Sequence, residues 1–238
     1  LNKVRLGVKV RNRQGVEYPR EVDYFVSPPE VEAVFGPKPK SLEIMFPVDD
    51  ENAFFPQAYK CFVRNGLRCK GNGETALRRV ADLIWKKGDN IIDDSTPNVI
   101  GDVPTDPNGL VEILCPCPLL DSGECKQAAN LMVLIPKVSM SGIFQIDSGS
   151  VYNIIRINSA VDFIRSLVGR IALVPLILSR KEEEIEYQGK KAKHYLLQLK
   201  LDANLEQVSR LRDNARMILI TRNLALPAPV EDGPDPSG

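Results

Sequence analysis

Five cysteines are the residues of this chain best suited to chemistry, and they are unevenly placed. Cys115-Pro-Cys117 sets two thiols one residue apart, and Cys125 follows eight positions after Cys117, beyond a Gly-containing turn. Pro116 and Pro118 restrict the backbone, so less conformational entropy is lost when an ion gathers the sulfurs. Thiolates suit zinc, which takes four tetrahedral ligands at structural sites. The fourth ligand is expected from Cys69, in Leu67-Arg-Cys-Lys-Gly-Asn-Gly73, where small residues permit tight turning. The expected set is therefore Cys69, Cys115, Cys117 and Cys125, holding a structural Zn2+. Cys61 is the spare, a buried free thiol in a strand pattern that puts Tyr59 and Val63 on its side. The competing reading is five unrelated buried cysteines. An odd number of cysteines bunched in two short segments favours metal over disulfides, and so a reducing compartment.

Other chemistry is weakly supported. The sole histidine, His194, is far in sequence from the cysteines and reads as an ordinary strand residue rather than a ligand. Asp147, Ser148 and Ser150 offer a hydroxyl and a carboxylate, but there is no second histidine and no Gly-x-Ser-x-Gly elbow. Capping of the following helix accounts for them better. Gly71-Asn-Gly73 resembles a fragment of a phosphate loop without its Gly-Lys-Ser/Thr ending, and reads as a turn leading into a short helix. No residue is assigned a catalytic role, and the chain is expected not to be an enzyme.

Charge bears on partners. Lys plus Arg is 31 and Asp plus Glu is 31, a balance that lowers the expectation of nonspecific DNA binding and raises that of a protein partner. Arg5, Lys9, Arg11 and Arg13, or Arg64, Arg68, Lys70, Arg78 and Arg79, are candidates to touch phosphates; alternating surface bases are more commonly solubilising. The run from Arg180 to Lys191 reads as a solvated hairpin tip. Its functional reading is a protruding arm for a partner, with Arg180, Lys181, Glu183, Tyr187, Lys190 and Lys191 as contacts.

The elements that must position these groups follow from hydrophobic period. Val4, Leu6, Val8 and Val10 alternate with Arg5, Gly7 and Lys9, which predicts a half-buried strand, and a second is expected at Val22–Val26. Ser27-Pro-Pro-Glu starts a short helix ending at Gly36. Strands are expected at Leu42–Phe46, Ala58–Arg64, Leu131–Ile135 and Gly142–Ile146. From about Gly66 to Lys126 the chain looks irregular, and a long structureless stretch needs a function or an external staple. Ile154, Ile157, Val161, Ile164 and Val168 recur at three- and four-residue spacings, predicting a helix over Val151–Val168 with a possible break at Asn158 and Ser159 and a cap at Gly169. A hairpin runs from Leu173 to Glu186, turns at Tyr187–Lys191 and returns from Ala192 to Leu201. Asn204 caps a last helix through about Met217. The expected class is α+β, antiparallel-strand-rich with few helices and an inserted four-cysteine, zinc-knuckle-like segment. Its parts are a strand-rich 1–65, a zinc-binding 66–128, an α+β 129–222 with the long hairpin, and a disordered tail 223–238.

Hydrophobic residues at 43% and charged residues at 26% are ordinary for a globular chain. No apolar run nears the roughly 18 residues of a membrane span. The first residues lack the features of a secretory signal, which with the thiols predicts a cytoplasmic protein. The absence of an initiating Met suggests either trimming or an incomplete start.

Several segments together resemble a known family. Val4-Arg-Leu-Gly7, Cys69-Lys-Gly-Asn-Gly-Glu-Thr-Ala76, Cys115-Pro-Cys117 with Glu124-Cys125-Lys126, Leu131–Pro136, Gly142–Gly149, Ile154 with Asn158-Ser159, and Gly169–Leu176 with its hairpin resemble the phage recombination directionality factors that pair with large serine integrases, in their actinophage-type branch. The resemblance implies a protein of the bacterial host cytoplasm that binds an integrase already assembled on DNA and redirects its coiled-coil arms. Integration is then inhibited and prophage excision enabled, with no chemistry of its own and at most a weak direct DNA contact. The alternative is a phage nucleic-acid-binding accessory protein for replication or recombination with a structural zinc site.

Overall fold

The computed structural model of the chain describes residues 2–63, 66–87, 90–93, 99–106, 108–187, 190–215 and 227–230. In chain order the elements are β1 (Asn2–Arg11), β2 (Glu17–Val26), α1 (Pro29–Phe35), β3 (Ser41–Ile44), α2 (Glu51–Phe54), β4 (Gln57–Val63), β5 (Gly66–Gly71) and β6 (Thr75–Arg79). A 3-10 turn at Val80–Asp82 leads to β7 (Ile84–Lys87), β8 (Asn90–Asp93), β9 (Val99–Ile100), β10 (Leu110–Leu114) and α3 (Pro118–Asp121). Then come β11 (Lys126–Ile135), β12 (Ser139–Ser148), α4 (Val151–Val168), β13 (Leu176–Tyr187), β14 (Lys190–Leu201) and α5 (Leu205–Ala215). The class is α+β with antiparallel pairing dominant, as the periodicity predicts. No helix among the described residues is long and apolar enough to cross a membrane.

The chain forms two compact units. One comprises 1–56 and 129–230; the other comprises 57–128, with a 231–238 tail that lies outside the described residues. The second unit thus starts at the strand carrying Cys61, nine residues ahead of the expected boundary at 66, because β4 and β5 pair as a hairpin.

In the first unit β2, β1, β12 and β11 lie side by side, with β1 and β12 parallel through Asn2↔Phe144 and Val4↔Ile146. A second sheet has the order β14-β13-β3. The core includes Val4, Phe25, Leu42, Phe46, Ile146 and the inner face of α4. That face is Ile154, Ile157, Val161, Ile164 and Val168, all buried, each worth about 1.5–3 kcal/mol relative to exposure. The Ser150 side chain accepts from the Asn153 amide and Gly169 closes α4 at φ 84°, so both predicted caps are present. The helix runs unbroken through Asn158 and Ser159, because its inner face stays apolar on both sides of them.

Two polar groups tie this core. Asn153 is buried; its Oδ1 accepts from the Leu197 amide at 2.9 Å and its Nδ2 donates to Ser148 Oγ at 3.0 Å. Arg180 has a fully buried side chain that donates to Val22 O at 2.9 Å, Leu6 O at 3.3 Å and Glu21 Oε1 at 3.0 Å. The capping of α5 by Asn204 is reciprocal: its Oδ1 accepts from the Gln207 amide while its own amide donates to Gln207 Oε1. The expected extension to Met217, and most of the tail, lie outside the described residues. Within the tail, Val230 exchanges two hydrogen bonds with the Gln145 side chain.

The second unit corrects the expectation of an irregular middle. Strands β4, β5, β6, β10 and β9 form an antiparallel run in that order. The short helix expected after Gly73 is instead β6, paired with β5 on one side and β10 on the other. The turn before it is fixed by Asn72, whose Oδ1 accepts from the amides of Glu74 and Thr75 at 2.8 Å each. Strand β6 lacks a clean apolar alternation because one of its inward residues, beside Ala76, is Arg78, a charge at a core position. Gly71 has no substitute there: a Cβ would stand 2.4 Å from the Cβ of Ala76.

Candidate metal centre

Four strands and one loop position the cysteines. Cys61 in β4 lies directly opposite Cys69 in β5, and Cys69 in turn lies opposite Arg78 in β6. The next β4–β5 pair is Phe62↔Leu67, so Arg68 is an extra residue on β5. A bulge of this kind re-aims the side chains around it. Arg68 is accordingly buried, and its positive charge helps lower the Cys61 thiol. Cys115 follows β10 directly, with its amide donating to Glu74 O at 2.7 Å. Beyond it, α3 makes one turn and the chain reverses at Gly123, whose φ is 75°. Leu119 O accepts from the amides of Glu124 at 3.0 Å and Cys125 at 2.9 Å, which returns Cys125 toward Cys117.

The result is a convergence of sulfur. Cys61, Cys69 and Cys117 lie in one apolar cluster, with Cys125 packed against it. Interaction among these thiols pushes Cys125 up and lowers its neighbours, Cys117 to about 5 and Cys69 to about 7, against burial in each case. Arg78, fully buried, donates from Nη2 to Cys117 Sγ at 3.3 Å and adds to the lowering of Cys69 and Cys117. Cys61, Cys69 and Cys117 are buried and Cys125 is half-buried. Ala76, Val111, Ile113 and Leu119 complete the surrounding apolar cluster.

Cys115 stands differently. It is half-buried, its thiol is raised chiefly by burial, and it senses Cys117 and Cys69 only as nearby charges. Of the expected ligands Cys69, Cys115, Cys117 and Cys125, the fold brings Cys69, Cys117 and Cys125 together and adds Cys61, the expected spare. The sequence signal for Cys61 was its separation from Cys69, which suits a hairpin that sets the two side by side. All five cysteines are free thiols. Among the described residues, no group of three or more His, Cys, Asp or Glu side chains has the arrangement of an assembled metal shell.

The remaining predicted residues have other roles. Asp147 pairs with Lys3 at 2.9 Å and accepts from Asn130 and Gln145, while Ser148 Oγ accepts from Asn153. His194 lies 3.6 Å from Glu21. Arg180 is buried against β1 and β2, so it is not available to a partner. Glu183 is bidentate with Arg156 of α4. Lys181 and Lys191 are exposed, and the side chains of Tyr187 and Lys190 lie outside the described residues. Arg68 and Arg78 are buried and so are not phosphate contacts, Lys70 is exposed, and Arg64 lies outside the described residues.

No curated protein and no solved structure matches the chain. A family model does match, over residues 2–202, which takes in the paired strands, the cysteine cluster and the long hairpin. The chain belongs to the Gp3-like family, described as recombination directionality factor-like.

Proposed function

We propose that this protein binds a large serine integrase on its DNA attachment sites and switches it from integration to excision, without chemistry of its own. The family match over residues 2–202 carries the reading, because it supports a recombination directionality role and a recombinase as partner. Switching of this kind is a population shift, and a shift from 1:99 to 99:1 requires about 5.5 kcal/mol of differential binding. Two features support a surface of that capacity. The outer face of α4 presents Tyr152, Ile155 and Phe163, which are 48%, 57% and 63% exposed. Completing their burial is worth roughly 1–1.5 kcal/mol each, about half of the full side-chain value. Strand β3 pairs with β13 only over Leu176–Ser179, so the β13–β14 ribbon beyond that point carries Lys181, Glu184, Glu186 and Lys191 into solvent. Charges there set register and partner choice more than affinity.

The test is a recombination reaction with purified candidate integrase. Excision between hybrid sites should proceed only with this protein, and integration should fall. An integrase whose two reactions are unchanged, together with salt-sensitive DNA binding by this protein alone, would replace the reading with that of a nucleic-acid-binding accessory protein.

A further inference from the structure

We propose that Cys61, Cys69, Cys117 and Cys125 hold one structural zinc ion, with Cys115 left outside the shell. The first argument is convergence. Cys61 and Cys69 stand opposite each other across the β4–β5 hairpin, and Cys117 and Cys125, at the two ends of one turn, pack into the same cluster; a thiol there carries one proton and can satisfy one acceptor at a time. A cation at the centre satisfies all four sulfurs at once. Softness selects zinc, which at closed sites prefers four sulfur ligands. The second argument is charge. Two guanidinium groups, Arg68 and Arg78, are buried beside the cluster, and Arg78 already donates to Cys117 Sγ. Guanidinium groups beside sulfur suit a site of net negative charge, since a buried charge is costly unless compensated. A divalent ion with four thiolates carries two negative charges, which the two arginines neutralise, with Arg78 as an outer-shell donor to a ligand sulfur.

The step balances without an oxidant: Zn2+ displaces four S–H protons to solvent and four Zn–S bonds form. The ligands come from both strands of the β4–β5 hairpin and both ends of the Cys117–Cys125 loop. The ion therefore fastens that loop to the hairpin. This assignment stands independently of the integrase reading.

The experiment uses the full chain, purified under reducing conditions with zinc supplied. Elemental analysis should find about one zinc per chain, the stoichiometry of a closed four-ligand site. Cys115→Ser should keep it, whereas Cys61→Ser should lose most of it. Variants that fail to fold are bypassed by pulse alkylation of the unaltered protein, mapped by mass spectrometry. Cys115 should react first with metal bound, and Cys125 should become reactive only after chelation. A tetrahedral thiolate spectrum on cobalt substitution should accompany these results in both wild type and Cys115→Ser. Absence of stoichiometric metal, a Cys61–Cys69 disulfide in its place, loss of zinc in Cys115→Ser, or Cys125 alkylation unaffected by chelation would each overturn the proposal.

Discussion

Replacing Arg180 with Met tests how the long hairpin is anchored. The side chain is fully buried, and its Nη2 reaches Glu21 Oε1 at 3.0 Å, Val22 O at 2.9 Å and Leu6 O at 3.3 Å. Methionine keeps much of the apolar stem and removes the fork. Two strand carbonyls then lose a charged donor, and hydrogen bonds to charged groups contribute about 1.5–3 kcal/mol each. Breaking a fully buried ion pair costs about 3–5 kcal/mol. Glu21 is 40% exposed, so it recovers solvation and the ion-pair contribution is much reduced. The expected net loss is about 3 kcal/mol. At a urea m-value of about 2 kcal/mol/M the midpoint should fall by about 1.5 M with m unchanged. Arg180→Lys should lie between, since an ammonium keeps the charge and loses the planar fork. Glu21→Gln should cost less than Arg180→Met, because its amide oxygen still accepts. A midpoint shift under about 0.5 M for Arg180→Met would refute the claim that this guanidinium holds the hairpin to β1 and β2.

Three further outcomes are expected. Asn153→Ala strands the Leu197 amide in the core and should cost about 2 kcal/mol, with hydrogen exchange at Leu197 markedly faster; unaltered exchange there would contradict the assignment. Ile157→Ala should cost about 2–5 kcal/mol, because Ile157 is fully buried, whereas Ile155→Ala should change stability by no more than about 0.5 kcal/mol and weaken excision instead. The hydrogen bond from Arg156 holds the Glu183 carboxyl below its usual value. Its stabilisation is therefore full above the unfolded value of about 4.3 and lost as pH falls through the lower folded value. The side chains are 37% and 28% exposed, so a double-mutant cycle should give about 0.5 kcal/mol at pH 7 and nothing at pH 2; equal coupling at both would exclude the ion pair as its source.

The sequence by itself determined the elements whose period is clean. Strand β1, helix α4 with its caps at Ser150 and Gly169, and the β13–β14 hairpin follow from alternation or 3.6-residue spacing, because each buries one regular apolar face. It also singled out the cysteines, which the fold gathers into one cluster. What it could not give was the inside of the second unit. There Cys61, Cys69 and Arg78 occupy core positions, so polar and ionisable residues stand where an apolar pattern would have marked strands. Which thiols meet was decided by tertiary structure alone. Cys115 and Cys117 are near neighbours in sequence, yet the bulged β4–β5 hairpin places Cys61 opposite Cys69, and the turn at Gly123 brings Cys125 to both. Sequence spacing measures distance along the chain, and only strand pairing converts it into distance between sulfur atoms.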